Sequence, residues 1–403
     1  MNFITILSKT STVSIIASFV AYMSYFYLAA NAMNNDFGNF TYYQSLMLLF
    51  INIIPFGSTM AVVIFRYNLS EYDYFQLIKE KLFILMPIIL ISISVITMIF
   101  SSFKVIDLDY HMLFSLLMLC YFNSISLVVM GYYRVSQRFL KYGGYFLVYT
   151  LINSLLLVCS YFYFGNLNTA FYTTTLSSGF FAIICLHAIK RDFNLDWRVT
   201  YIKEKLILSL NYGYPVVLSS LTMSFLVVGD KLILGSIAPS LLPSYAVAAL
   251  ISSTTLFLVN NFASAWAAFL VKKCNKRNDM LLFYYRKSRF KIMLVFPIGL
   301  LVLFAQYILY SLFYVSEYPG LFVTIITLTS AYFIFGISKF FMGYMNYLKK
   351  NMAVFYSSVL GVFGIILVII TGKIEFMALS ILIGMLIQLL FCVVYTNKLL
   401  RSL

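Results

Sequence analysis

Twelve long apolar stretches, separated by loops whose basic residues fall almost entirely on alternate sides, constrain this chain more than any other feature. A helix needs about 20 predominantly apolar residues to cross the hydrocarbon layer. Such stretches occur at 4–31, 40–65, 82–102, 111–132, 143–165 and 168–188, and again at 206–228, 243–270, 291–313, 321–344, 351–371 and 376–396. Backbone polar groups at membrane depth must be satisfied within the segment, so these stretches are expected to be helices. The expectation is an all-α polytopic membrane protein of about 12 transmembrane helices.

Loop charges orient such a chain, because Lys and Arg are retained on the cytoplasmic side. One set of alternate segments runs from Lys9 through Arg66, Lys79 and Lys81, the Arg134 to Lys141 group and the Lys190 to Lys205 group. It continues through the Lys272 to Lys291 group to Arg401, and holds 24 of the 28 basic residues. The opposite loops hold Lys104, Lys231 and Lys373, while Lys339 lies inside the tenth span. Both termini are therefore expected in the cytoplasm. With 62% hydrophobic and 10% charged residues the chain is not a water-soluble domain. Its net charge of +15, which would suggest nucleic acid in a soluble protein, here records topology. Cys120, Cys159, Cys185, Cys274 and Cys392 show no CxxC spacing and imply neither a disulfide nor a metal. The first stretch has no small-residue cleavage site and reads as a retained helix.

The stretch from His187 to Lys205 divides the chain into an N-terminal six-helix bundle, 1–190, a cytoplasmic linker, 191–205, and a C-terminal six-helix bundle, 206–403. Phe40 to Arg66 is 26 residues and Tyr245 to Lys272 is 27, so the second helix of each half shows nearly the same turn-to-charge distance. With an even number of spans per half, this points to a parallel pseudo-repeat around a central cavity, an arrangement that places a substrate at the repeat interface. Pro55, Pro87, Pro215 and Pro297 fall inside spans, where each removes a backbone donor. They read as hinges or as the ordinary prolines of membrane helices.

Ionisable groups at membrane depth face a cavity or a partner. Lys9, Arg66 and Lys339 lie inside or at the edge of spans, and the alternative for the first two is snorkelling to the head groups. Asp230 and Lys231 read either as a salt-bridged gate or ion-coupling site, or as charges capping a helix. The adjacent amides of Asn260 and Asn261 point to different helix faces, so at least one is expected on a polar path. Asn123, Asn153, Gln306 and Gln388 are better explained by hydrogen bonds between helices. Asp107, Asp109 and His111 lack further metal ligands and read as a solvated turn. The run from Lys272 to Lys291 has the pattern of an amphipathic helix lying on anionic lipid. No cofactor motif is present.

Several patches in order carry a family resemblance. They are Asp36-Phe37-Gly38-Asn39-Phe40-Thr41-Tyr42 after the first span, and Gly131-Tyr132-Tyr133-Arg134-Val135-Ser136-Gln137-Arg138-Phe139 after the fourth. Next come Asn211-Tyr212-Gly213-Tyr214-Pro215, Gly229-Asp230-Lys231-Leu232-Ile233-Leu234-Gly235 and Tyr245-Ala246-Val247-Ala248. The arrangement resembles the polysaccharide-transporter branch of the multidrug/oligosaccharidyl-lipid/polysaccharide exporter superfamily, and within it the O-antigen (Wzx-like) flippases. Lys231 stands where Arg is more usual in that branch. The resemblance implies a transporter of the bacterial inner membrane, rather than an enzyme, that carries undecaprenyl-diphosphate-linked oligosaccharide from the inner to the outer leaflet. Lys9, Arg66 and Lys339 would then engage the pyrophosphate by charge-assisted hydrogen bonds. A coupling ion, H+ or Na+, and a polysaccharide polymerase with its chain-length regulator are the implied partners, beside membrane lipid. Two other readings are a drug/cation or small-solute antiporter of the same superfamily and a membrane polymerase or glycosyltransferase. The deep charges of this chain are mainly basic, which weighs against the first; its exterior loops are short, which weighs against the second.

Overall fold

The computed structural model describes residues 3–32, 34–57, 62, 65, 69–102, 110–136, 138–193, 203–274, 278–289, 295–314, 318, 320–348 and 350–402. Among these residues the regular structure is all helical, with no strand. In order the helices are α1 (Phe3–Asn31), α2 (Asn34–Ile53), α3 (Glu71–Glu80), α4 (Met86–Ser102), α5 (Tyr110–Val135), α6 (Phe139–Phe164) and α7 (Leu167–Phe193). They continue with α8 (Lys203–Ile237), α9 (Leu242–Cys274), α10 (Asn278–Arg289), α11 (Val295–Phe313), α12 (Phe322–Tyr347), α13 (Asn351–Thr371) and α14 (Met377–Arg401). Among the described residues nine helical segments are long and apolar enough to cross a membrane. The other three expected spans fall on α1, α2 and α11. The chain is thus a multi-pass membrane protein with helices at all twelve apolar stretches.

Three boundaries differ from the sequence expectation, each for a local reason. The span expected at 40–65 is interrupted, because α2 ends at Ile53 and residues 54–57 form a turn. Pro55 removes a helical donor there, and the Phe56 N–H donates to the Ile53 carbonyl at 2.9 Å. Phe56 and Gly57 take positive φ of 44° and 68°, which ends the helix outright. The span expected from residue 82 begins earlier: α3 joins α4 through a π-helical turn, Lys81–Leu85, that buries Lys81. Ser70 caps α3 by accepting from the Asp73 N–H at 3.1 Å. The seventh span extends past its expected end at 228 to Ile237, so Asp230 and Lys231 lie within a helix rather than capping one.

The chain forms two compact units that are not continuous in sequence. One contains residues 1–15, 25–42 and 225–403; the other contains residues 16–24 and 43–224. The divisions fall inside α1, α2 and α8.

In the unit that carries α9 to α14, α9 and α12 run parallel over a long contact. Ser252 of α9 donates to the Ile325 carbonyl of α12 at 3.2 Å, and further along Val259 meets Gly336 and Trp266 meets Gly343 in one register, two turns apart. Further contacts join α12 to α14 and α13 to α14. Helices in lipid gain no hydrophobic drive from one another and associate where small residues let backbones approach. Gly361 and Gly364 of α13 meet Gly384 of α14 in this way; a Cβ on Gly364 would stand 2.6 Å from the Gly384 nitrogen. Gln306 of α11 ties three helices together, donating to Thr254 Oγ1 and Thr255 Oγ1 of α9 at 2.9 and 3.1 Å. It accepts from Thr329 of α12 at 2.7 Å.

In the other unit α5 and α7 pack closely, with α6 against α7. An aromatic cluster of Tyr74, Phe75, Tyr132 and Phe193 closes one end, with the Phe75 and Phe193 rings stacked at 4.5 Å. The amides behave as interhelical bridges here too: Tyr149 of α6 donates to Asn123 of α5, and Ser177 of α7 donates to Asn153 of α6.

Candidate functional site

Lys339 lies on α12, eight residues and about 12 Å from the Tyr347 end of the helix. Its Nζ donates to the side-chain oxygen of Asn260 on α9 and sits 4.6 Å from the centroid of the Phe335 ring, one turn back on its own helix. Gly336 is what allows this meeting. A Cβ at that position would clash with Val259, the neighbour of Asn260, so only glycine brings the two helices close enough for the ammonium to reach the amide. Gly336 and Gly343 are two turns apart on one face of α12, with Lys339 between them. The part-buried ammonium therefore has a neutral acceptor and a ring face; among the described residues it has no carboxylate partner. Such a cation is half-solvated electrostatically and suited to take an anion.

Asp230 and Lys231 form a second intramembrane group in the same unit. Asp230 is fully buried, and Lys231 nearly so. The Lys231 ammonium donates to the Asp230 carboxylate at 3.1 and 3.4 Å and to the Val227 carbonyl at 3.1 Å. Tyr245 of α9 donates to the other side of the carboxylate at 2.7 Å. Tyr332 of α12 is an electrostatic neighbour of the Lys231 side chain. The carboxylate and ammonium thus neutralise one another within a single helix turn, and Tyr245 completes the hydrogen bonding of the carboxylate. This closure explains how α8 carries both charges through its interior. Tyr332 and Lys339 are seven residues apart, so both polar groups lie along the same face of α12.

The structure brings Lys339 and Asn260 together, and Asp230 with Lys231. Arg66 lies outside the described residues, and so do the side chains of Lys9 and Asn261. Asp107 and Asp109 also lie outside them. The amphipathic run places α10 with Leu281 and Tyr285 inward and Arg286 and Lys287 exposed.

One polar group escaped the sequence reading. Asp192, near the end of α7, binds Arg138 at 2.6 Å and Lys141 at 2.8 Å, and Lys141 lies 5.5 Å above the Tyr133 ring. The available signal was an acid directly after Lys190 and Arg191 in a strongly basic segment.

No family model matches the chain, and no curated protein matches it either. Solved structures do match in fold. One is the inward-facing conformation of a multidrug resistance MATE family transporter of the MOP superfamily, with a TM-score of 0.73 at 15% identity, covering 96% of this chain and 94% of that one. An outward-facing conformation of such a transporter gives 0.74 at 14% identity over 98% and 96%. The Vibrio cholerae MATE transporter VcmN, as its D35N mutant, gives 0.70 at 15% identity over 99% of both chains. The chain has the fold of these MATE transporters over nearly its whole length.

Proposed function

We propose that the chain is a membrane transporter working by alternating access on an anionic, amphipathic substrate. Neighbours of the same fold occur in inward-facing and outward-facing conformations, which supports the alternating cycle. The moving bodies would be the six-helix halves 1–190 and 206–403. By fold alone, the drug/cation or small-solute antiporter is the better supported transporter reading, because the neighbours are described as multidrug resistance transporters. The sign of the substrate is a separate matter, and one observation carries it: the Lys339 ammonium, at membrane depth, held by an amide oxygen and a ring. The carboxylate of Asp230 is already occupied by Lys231 and Tyr245, which leaves it poorly placed to draw in a cationic drug.

The second reading makes the anion specific: a flippase for undecaprenyl-diphosphate-linked oligosaccharide at the bacterial inner membrane. A diphosphate cannot cross hydrocarbon unaided, and a cation met inside the spans lowers that barrier. Its support is the ordered set of sequence patches together with the basic character of the deep charges. A clean deletion in the source strain separates the two. The flippase reading expects lipid-linked repeat units to accumulate on the inner leaflet and surface polysaccharide to be lost. Normal surface polysaccharide together with sensitisation to cationic drugs would instead establish the antiporter.

A further inference from the structure

We propose that the groove between α6 and α7 is a binding site for an anionic phospholipid, which places one acyl chain in the groove and its headgroup phosphate on Lys141 and Arg138. The groove holds about 350 Å³ and is walled by Gly144, Val148 and Ile152 of α6 and by Phe180 and Ile184 of α7. Phe180 and Ile184 are exposed, as are Val148 and Ile152, although both helices belong to apolar spans. The polar groups in its floor are already paired, Asn153 with Ser177 and Tyr149 with Asn123, so an occupant needs no hydrogen bonds below the mouth. That is the chemistry of a hydrocarbon chain.

The dimensions and charge identify the rest of the ligand. From Lys141 to Ile152 the groove runs eleven residues along α6, about 16 Å at 1.5 Å per residue. One leaflet of hydrocarbon is about 15 Å deep. The groove therefore starts at headgroup level and ends near the bilayer midplane. At its mouth Lys141 and Arg138 share the single carboxylate of Asp192. Among the described residues, two cations against one carboxylate leave a net positive mouth, which selects a phosphate without a compensating ammonium. Gly144 stands just below Lys141, and a Cβ there would meet nothing within 4 Å, so the upper groove is open space.

The test is native mass spectrometry of the full chain released from nanodiscs containing equal amounts of phosphatidylglycerol and phosphatidylcholine. The wild type is expected to retain phosphatidylglycerol preferentially. Lys141→Gln should weaken that retention about fivefold, the effect of one basic residue near a membrane surface. Gly144→Leu, whose Cβ meets no neighbour, fills the groove and should weaken retention of either lipid about tenfold. Val148→Trp fills the same space lower down and serves if the first variant does not accumulate. Equal retention of the two lipids by the wild type, or unchanged retention in a folded groove-filled variant, would overturn the assignment.

Discussion

Lys339→Ala is expected to reduce transport at least about 30-fold without lowering the amount of protein in the membrane. The first part follows from the loss of a desolvated cation that pairs with an anionic substrate, worth about 2–5 kcal/mol. The second follows from its present partners. Asn260 is neutral and part-buried, so removing the ammonium leaves no buried charge unpaired. Lys339→Arg should keep part of the activity, since the charge remains while its compact geometry is replaced by a planar fork. Asn260→Asp supplies a complementary test from the opposite helix. A carboxylate placed on the ammonium would neutralise it, and transport of an anion should fall as in Lys339→Ala although the lysine is intact. Quantitative transport with membrane abundance measured on the same samples distinguishes these outcomes from misfolding. Full activity in Lys339→Ala would reduce this residue to a structural charge.

The second large effect belongs to Asp230 and Lys231, and it appears in stability first. Removing one member of a buried ion pair leaves the other uncompensated and costs about 3–5 kcal/mol. Asp230→Ala would strand the Lys231 ammonium with the Val227 carbonyl, and would deprive Tyr245 of its acceptor. Its thermal unfolding in detergent should shift strongly downward and its membrane abundance should drop. The double variant Asp230→Asn, Lys231→Met removes both charges and should recover most of the lost stability. That recovered protein then answers the functional question. If the pair serves as a gate or an ion-coupling site, the double variant will be stable and yet lose its dependence on the driving ion. If the pair only holds α8 against α9 and α12, transport will remain coupled. An Asp230→Ala protein as stable as the wild type would contradict the buried pairing itself.

Much of the fold was legible because the physical constraint behind it is severe. Every one of the twelve apolar stretches meets a helix, since the bilayer sets both length and backbone satisfaction. What escaped were interactions that hydropathy cannot encode. The segment before residue 82 is rich in charge, yet Glu71–Glu80 is helical, because Tyr74, Phe75, Leu77 and Ile78 bury among its polar residues. The break after Ile53 depended on Phe56 taking a left-handed conformation, which no pattern around Pro55 specifies. Lys339 was legible as a candidate from depth alone. Its partner was named only as a member of a polar path, because the Asn260 contact depends on Gly336 admitting Val259. Tyr332 lies about a hundred residues from Lys231 and carried no signal toward it. The pair at 230 and 231 was visible, but its burial was not: the apolar run ends near 228, whereas self-neutralisation lets the helix continue to Ile237.

Transport by the purified chain in sealed proteoliposomes is the most direct measurement of the central claim. A fluorescent polyprenyl-diphosphate-linked sugar and a lipophilic cationic dye should be offered in parallel, each with and without H+ and Na+ gradients, using Lys339→Ala as the matched control. Protein-dependent movement of the anionic lipid, lost in Lys339→Ala, is the expected result. Gradient-driven movement of the dye, unaffected by Lys339→Ala and with the anionic lipid left in place, would contradict it.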